Sequence, residues 1–164
     1  VFTHALENTR DNDLAECKIG ELRFEQDRLP EAVAHFEESF RLFPNDALYC
    51  YNLGSARMAQ DRDAEAAVLL ERAVRGRPDW ADALINLGCV YVKLRQYHAA
   101  LEPFERALAI DPNHVNGHIN YGAALLNLGR REDAARQFEG ALRLEPGNAA
   151  AKINLDLARQ PGKR

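Results

Sequence analysis

Small, large and polar residues return along this chain with a fixed period. Asn52, Asn86, Asn120 and Asn154 are spaced by thirty-four residues, and the rows 13–46, 47–80, 81–114 and 115–148 align small with small and large with large. The eighth place holds Gly20, Gly54, Gly88 and Gly122, and the twentieth holds Ala32, Ala66, Ala100 and Ala134. Phe36, Leu70, Phe104 and Phe138 fill the twenty-fourth, and Ser39, Ala73, Ala107 and Ala141 the twenty-seventh. Pro44, Pro78, Pro112 and Pro146 stand at the thirty-second, where each stops a helix, and the polar groups in "PND", "PDW", "DPN" and "PGN" are placed to cap the next one. Turns fall at "EQDRLPE", "AQDRDAE", "KLRQYHA" and "NLGRRED", with Pro30 suited to a first helical turn. Each row therefore predicts two helices joined by a short turn. The small residues at the eighth and twentieth places let antiparallel helices approach closely.

Phe2 and Ala5 continue the columns into a row that would precede the first, which predicts that residues 1–12 are a second-helix remnant. Residues 149–160 read as a lone first helix with Asp156 in place of glycine, a capping helix, and 161–164 as a tail. Pro103, inside a second helix, predicts a local bend. A start at Val1 instead of methionine points to a piece of a longer polypeptide.

Composition narrows the function classes. An apolar share of 46% with 28% charged residues is that of a soluble globular chain, and no apolar run approaches the ~20 residues that span a bilayer. The net charge of −4, with basic residues dispersed, lacks the footprint of a nucleic-acid binder. Cys17, Cys50 and Cys89 form no CxxC pair and are odd in number, which argues against a disulfide framework or zinc site and for a reducing, cytoplasmic compartment. No cofactor is indicated.

The columns resemble the tetratricopeptide repeat family in all four rows. The fourth place, often Trp in that family, is Glu16, Cys50, Leu84 and His118, and the usual Tyr of the eleventh occurs as Tyr91 in the third row only. The resemblance implies an all-α fold, a right-handed α-solenoid of antiparallel helix pairs with four repeats and a C-terminal capping helix. It also implies that first helices line an inner groove, into which the second, fifth, sixth, ninth and twelfth places point. Asn52, Asn86, Asn120 and Asn154 occupy the sixth place after Lys18. Tyr51, Ile85 and Ile119 flank them at the fifth, and Met58 and Val92 at the twelfth.

An asparagine amide pairs with the C=O and N–H of an extended peptide without reading its sequence. Helices about 8–10 Å apart would engage roughly every third peptide residue. At about 1 kcal/mol per hydrogen bond such a ladder needs help from the apolar side chains. The sixth place resembles the ladder of O-linked N-acetylglucosamine transferase repeats. Asparagine there is also common in family arrays with other ligands, where it satisfies local polar contacts, so both roles stay open. The chaperone-binding carboxylate clamp of the family is not expected, because the positions for its cations hold Cys17, Asp82 and Asn86 in one window and Tyr51, Asn116 and Asn120 in the next.

Catalytic patterns are weak. His114 and His118, four apart, lack a third ligand with fitting spacing and read as a loop residue and a packing residue. Cys89 reads as a small buried thiol, and Arg72, Arg75, Arg77, Arg130, Arg131 and Arg136 as a solvated outer face that an acidic partner would fit. No phosphate-cradling loop or nucleophile elbow is present, so no enzyme is expected. The expected function is a scaffold binding a protein or peptide segment in the groove. The alternatives are a homo-oligomer joined through the open edge at Phe2 and Leu6, and a substrate-recruiting region of a larger protein. For the latter, the opening "FTHALENTRDN" resembles the junction into the repeat tails of some bacterial glycosyltransferase-type membrane proteins.

Overall fold

The computed structural model describes residues 2–160, with side chains described from residue 13 onward. Among the described residues every regular element is an α-helix: α1 (Phe2–Glu25), α2 (Leu29–Leu42), α3 (Ala47–Ala59), α4 (Asp63–Gly76), α5 (Ala81–Lys93), α6 (Tyr97–Ile110), α7 (Val115–Asn127), α8 (Arg131–Leu144) and α9 (Ala149–Arg159). They fall into two compact units, residues 1–78 and 79–164.

In the first unit each helix packs on the next in sequence, and the first helices α1 and α3 also touch. The second unit repeats this, with α7 touching both α5 and α9. The first unit's core gathers Ala32, Val33, Phe36, Leu53, Ala56 and Leu69, with Leu29 and Phe40 at its edge. Phe104, Phe138, Leu84, Leu125 and Val90 are fully buried in the second.

Helix α1 passes residue 12 without a break. The physical reason lies in the columns: the place that elsewhere holds proline falls here on Arg10, and no proline or glycine precedes Gly20. Phe2, Ala5 and Leu6, on which the expected remnant and open edge rest, have side chains outside the described residues, and the tail at 161–164 lies outside them too. Helix α6 likewise runs unbroken through a buried Pro103.

Glycine at the eighth place is required by close approach. A methyl group on Gly88 would lie 2.6 Å from Phe104 Cε1, and one on Gly122 would lie 2.5 Å from Phe138 Cε1. In the first, third and fourth rows the two helices thus meet backbone against an aromatic ring, whereas Gly54 of the second row meets Leu70 at a looser 3.0 Å.

The turns between them share one geometry. Asp27, Asp61, Arg95 and Gly129, all at the fifteenth place, have φ of 58°, 56°, 58° and 74°. The following N–H reaches back five residues, as in Arg28 to Arg23 O at 2.9 Å and Gln96 to Tyr91 O at 2.8 Å. Arg95 N–H itself donates to Val92 O at 2.9 Å, so a left-handed residue closes each first helix. Only Gly129 holds this conformation without a Cβ penalty, and Asp tolerates it better than Arg. Arg95→Gly is therefore expected to stabilise the chain by about 1 kcal/mol, a rise of roughly 2–4 °C in Tm by calorimetry.

Capping follows the polar residues, with one substitution of role. Asp46 accepts from Leu48 N–H at 2.8 Å and Asn148 from Ala151 N–H at 2.9 Å. At α7 the cap is His114, whose Nδ1 accepts from Gly117 N–H at 2.9 Å, and at α5 Trp80 supplies no side-chain cap. Arg131, at the start of α8, donates to the carbonyls of Leu157 and Ala158 and so satisfies the C-terminal end of α9. Helix α9 exposes Lys152, Asp156 and Arg159 together with the apolar Ile153 and Leu157.

Candidate functional site

On the first-helix face of the first unit, α1 and α3 enclose a cleft of about 180 Å³ lined by Glu21, Phe24, Glu25, Phe36, Tyr51, Asn52 and Ser55. Tyr51 and Asn52 are residues singled out by their places, and Phe24 shares the twelfth place with Met58 and Val92. Asn52 is 8% exposed, and its Nδ2 donates to Cys17 Sγ and Glu21 Oε1, both at 3.2 Å. Lys18, which stands where later rows have asparagine, binds Glu21 Oε2 at 2.8 Å. Burial alone would raise the Glu21 pKa, but the hydrogen bonds from Lys18 and Asn52 outweigh it and hold the carboxyl below its ordinary range. The cleft therefore carries a fixed carboxylate beside an oriented amide, with aromatic walls.

The second unit places Asn86, Asn120 and Asn154 at matching positions of α5, α7 and α9. Asn120 Nδ2 donates to Cys89 Sγ at 3.1 Å, repeating the pairing of a sixth-place amide with the preceding row. For Asn154 the preceding ninth place is Ala123, which offers no side-chain acceptor. The apolar candidates divide. Ile85 is 5% exposed and its Cδ1 faces Gly117, so it forms part of the packing of α5 on α7. Tyr51, Met58, Val92 and Ile119 are half-buried. Ile153 and Leu157 on α9 stand open, Ile153 at 66%. The fifth- and ninth-place columns hold both residues, yet as columns they give no sign of which members are left uncovered.

The cysteines are poor nucleophiles. Burial pushes Cys17 up to about 11, with the Glu21 charge adding to it, and burial does the same to Cys89. Burial also raises Cys50. From an ordinary value of 9.0, a thiol at about 11 is alkylated at pH 8 about a hundredfold more slowly than a free cysteine. Iodoacetamide labelling read by mass spectrometry should show Cys17 and Cys89 nearly inert in the folded chain and fully reactive in denaturant. His118 hydrogen-bonds Gln137 Oε1 through Nδ1 at 2.8 Å and Pro112 O through Nε2 at 3.0 Å, which fixes it as a packing residue. Among the described residues no three His, Cys, Asp or Glu side chains cluster as metal ligands, and no helix is long and apolar enough to cross a membrane.

Among solved structures, the chain is similar to YrrB, described as a TPR protein with an unusual peptide-binding site. Identity is 26%, the TM-score is 0.80, and the match covers 96% of this chain and 81% of that one. A structure of MamA is 26% identical with a TM-score of 0.76, covering 88% of this chain and 85% of that one. The APC/C hetero-tetramer Cut9–Hcn1 shares the fold at 22% identity and a TM-score of 0.86, with the match spanning 91% of this chain and 30% of that one. No curated protein matches the sequence. Tetratricopeptide repeat models match residues 17–83, 81–114 and 115–148. The fold is accordingly the all-α solenoid of interaction scaffolds, and the chain belongs to the tetratricopeptide repeat family.

Proposed function

We propose that the chain is a non-catalytic scaffold that binds an extended peptide segment on its first-helix faces. The observation that carries this is the cleft between α1 and α3, where Asn52 and Tyr51 meet Phe24 and Phe36 in about 180 Å³, a volume suited to one apolar side chain. The described peptide-binding site of YrrB, a similar chain, supports the same reading. In the first unit Tyr51 and Met58 supply apolar grip, and Asn52 retains its amide oxygen for a peptide N–H. In the second, Asn120 and Asn154 offer amides, Asn86 shares their column, and Ile119, Val92 and Ile153 supply apolar surface around a wall backed by Ile85. Two of the asparagines also tie their own helix to the preceding one, so the structural and ligand-binding roles coexist in one side chain.

The test is selection of binders from a random peptide display library against the folded chain. The selected peptides are then titrated against an Asn52→Ala, Asn86→Ala, Asn120→Ala variant whose helicity matches the parent by circular dichroism. Loss of about tenfold or more in affinity supports the ladder. Unchanged affinity sinks it. Asn154→Ala adds a control in which no intramolecular hydrogen bond from Asn120 or Asn52 is disturbed.

A second reading, self-association through α1, is favoured by the exposure of Leu14, Ile19 and Leu22 on that helix. A mass that rises with concentration in sedimentation equilibrium, and falls to the monomer in Leu14→Lys with Leu22→Lys, would support it.

A further inference from the structure

On the opposite side of the first unit, α2 and α4 flank a larger cleft of about 540 Å³ with α3 as its floor. Phe40, Leu53, Val68 and Leu69 give it an apolar surface, and Val68 is 51% exposed. The buried Arg57 crosses the floor between two carboxylates: it is ion-paired to Glu37, and its Nε lies 3.5 Å from Glu65. Glu65 is also held by Arg62 at 2.6 Å. The carboxylates of this cleft are thus already neutralised from within the fold.

The cations at the other end of the cleft are not. Arg72 lines it and also borders an adjoining hollow of about 450 Å³ formed with Asn45, Arg75 and Gly76. Most arginines on these helices have a partner, as in Arg28–Glu31, Arg41–Glu38, Arg62–Glu65 and Arg130–Asp133. Arg72 and Arg75 have no ion pair among the described residues. An apolar trough therefore opens directly onto two uncompensated guanidinium groups on one helix.

The corresponding surface of the second unit lacks this character, which makes the feature particular to the first. Where the first unit has Val68, Leu69 and Arg72, the same places of α8 hold Arg136, Gln137 and Gly140. Arg136 is paired with Asp133, and Gln137 with His118. There the places of Val68 and Leu69 are polar, and Arg143, matching Arg75, has beside it Gly140 where the first unit has Arg72, so no pair of guanidinium groups borders an apolar wall.

We propose that this outer face of α2 and α4 is a second docking site, separate from the first-helix groove. Its occupant is an acidic protein segment that seats an apolar side chain between Phe40 and Val68 and sets carboxylates on Arg72 and Arg75. Carboxylate recognition by guanidinium is bidentate and directional, and the apolar trough beside it supplies the contact area that surface charges alone do not. The site stands independently of the asparagine ladder.

The test separates the two. Peptides selected from a random display library are sorted by competition into those blocked by Val68→Lys in the target and those blocked by the triple asparagine change. The proposal expects a Val68-sensitive class enriched in Asp or Glu next to Leu, Ile or Phe. Its affinity should fall about tenfold or more in Arg72→Glu with Arg75→Gln, weaken as salt is raised, and stay unchanged in the asparagine variant. Val68, Arg72 and Arg75 are exposed, so these variants should keep the parent helicity. Absence of a Val68-sensitive class, a class without acidic residues, or one indifferent to the arginines would overturn the proposal. So would tighter binding to phosphatidylserine-containing vesicles than to any selected peptide, since the cations would then serve a membrane surface.

Discussion

Gly88→Ala is expected to destabilise the chain by about 1–3 kcal/mol, although alanine is the better helix former by about 1 kcal/mol. The added Cβ would stand 2.6, 2.7 and 2.9 Å from three ring atoms of Phe104, a side chain with no exposed surface and hence no direction in which to retreat. The equivalent change Gly54→Ala meets Leu70 Cγ at 3.0 Å and Leu69 Cβ at 3.2 Å, a tight contact that a small rotation relieves. Its expected effect is near zero, because the propensity gain and the crowding cancel. The second row shows how the conflict resolves, so Phe104→Leu introduced into Gly88→Ala should recover part of the loss. A double-mutant cycle by urea denaturation measures the coupling. If Gly88→Ala were as benign as Gly54→Ala, the ring contact would not be what keeps glycine at this place.

Tyr49→Phe should cost about 2–3 kcal/mol, whereas Tyr121→Phe, the same substitution in a first helix of another row, should cost about 1 kcal/mol or less. Tyr49 donates to Asp13 Oδ2 at 2.5 Å, and Asp13 is 2% exposed with Oδ1 left without a hydrogen-bond partner. Removing the hydroxyl strands a buried carboxylate. Tyr121 donates to Glu105 Oε1 at 2.5 Å, but Glu105 is exposed and water replaces the lost donor. Burial, followed by the neighbouring carboxylates, raises both phenols well above their ordinary value of 10.0. A raised folded-state value means that the unfolded chain releases its phenolic protons first. The stability from these pairs is complete below pH 10 and declines as pH climbs beyond it. Thermal melts of the parent and of Tyr49→Phe across that range should converge.

The columns of the sequence carried the helical pairs well, because glycine against aromatic ring and proline at a helix end are local requirements. The continuity of α1 was legible in principle from Arg10, whose column elsewhere is proline, but an absent stop signal is weaker evidence than a present one. Left-handed residues at Asp27, Asp61 and Arg95 were hidden for the same reason, since only Gly129 announces itself. The site was legible as positions and illegible as contacts. Nothing along the chain says that Asn52 reaches Cys17 and Glu21, because that depends on the register between helices thirty-odd residues apart. The outer cleft was missed for a further reason. Val68 lies at a place that holds Ala34, Glu102 and Arg136 in the other rows, and a column without a consensus conceals a local apolar surface. Phe40 shares its column with Val74, Leu108 and Leu142 and so reads as ordinary packing.

The contacts within each unit join only helices that are neighbours or next-but-one in sequence. Such a topology has low contact order, so each pair can close without waiting for distant chain, and folding on a microsecond-to-millisecond scale is expected. It also means that structure can grow outward from whichever row forms first. A ribosome delivering this chain would release finished helical pairs in order of synthesis, and α9, whose end is fastened by Arg131, would dock onto an α7–α8 platform already standing.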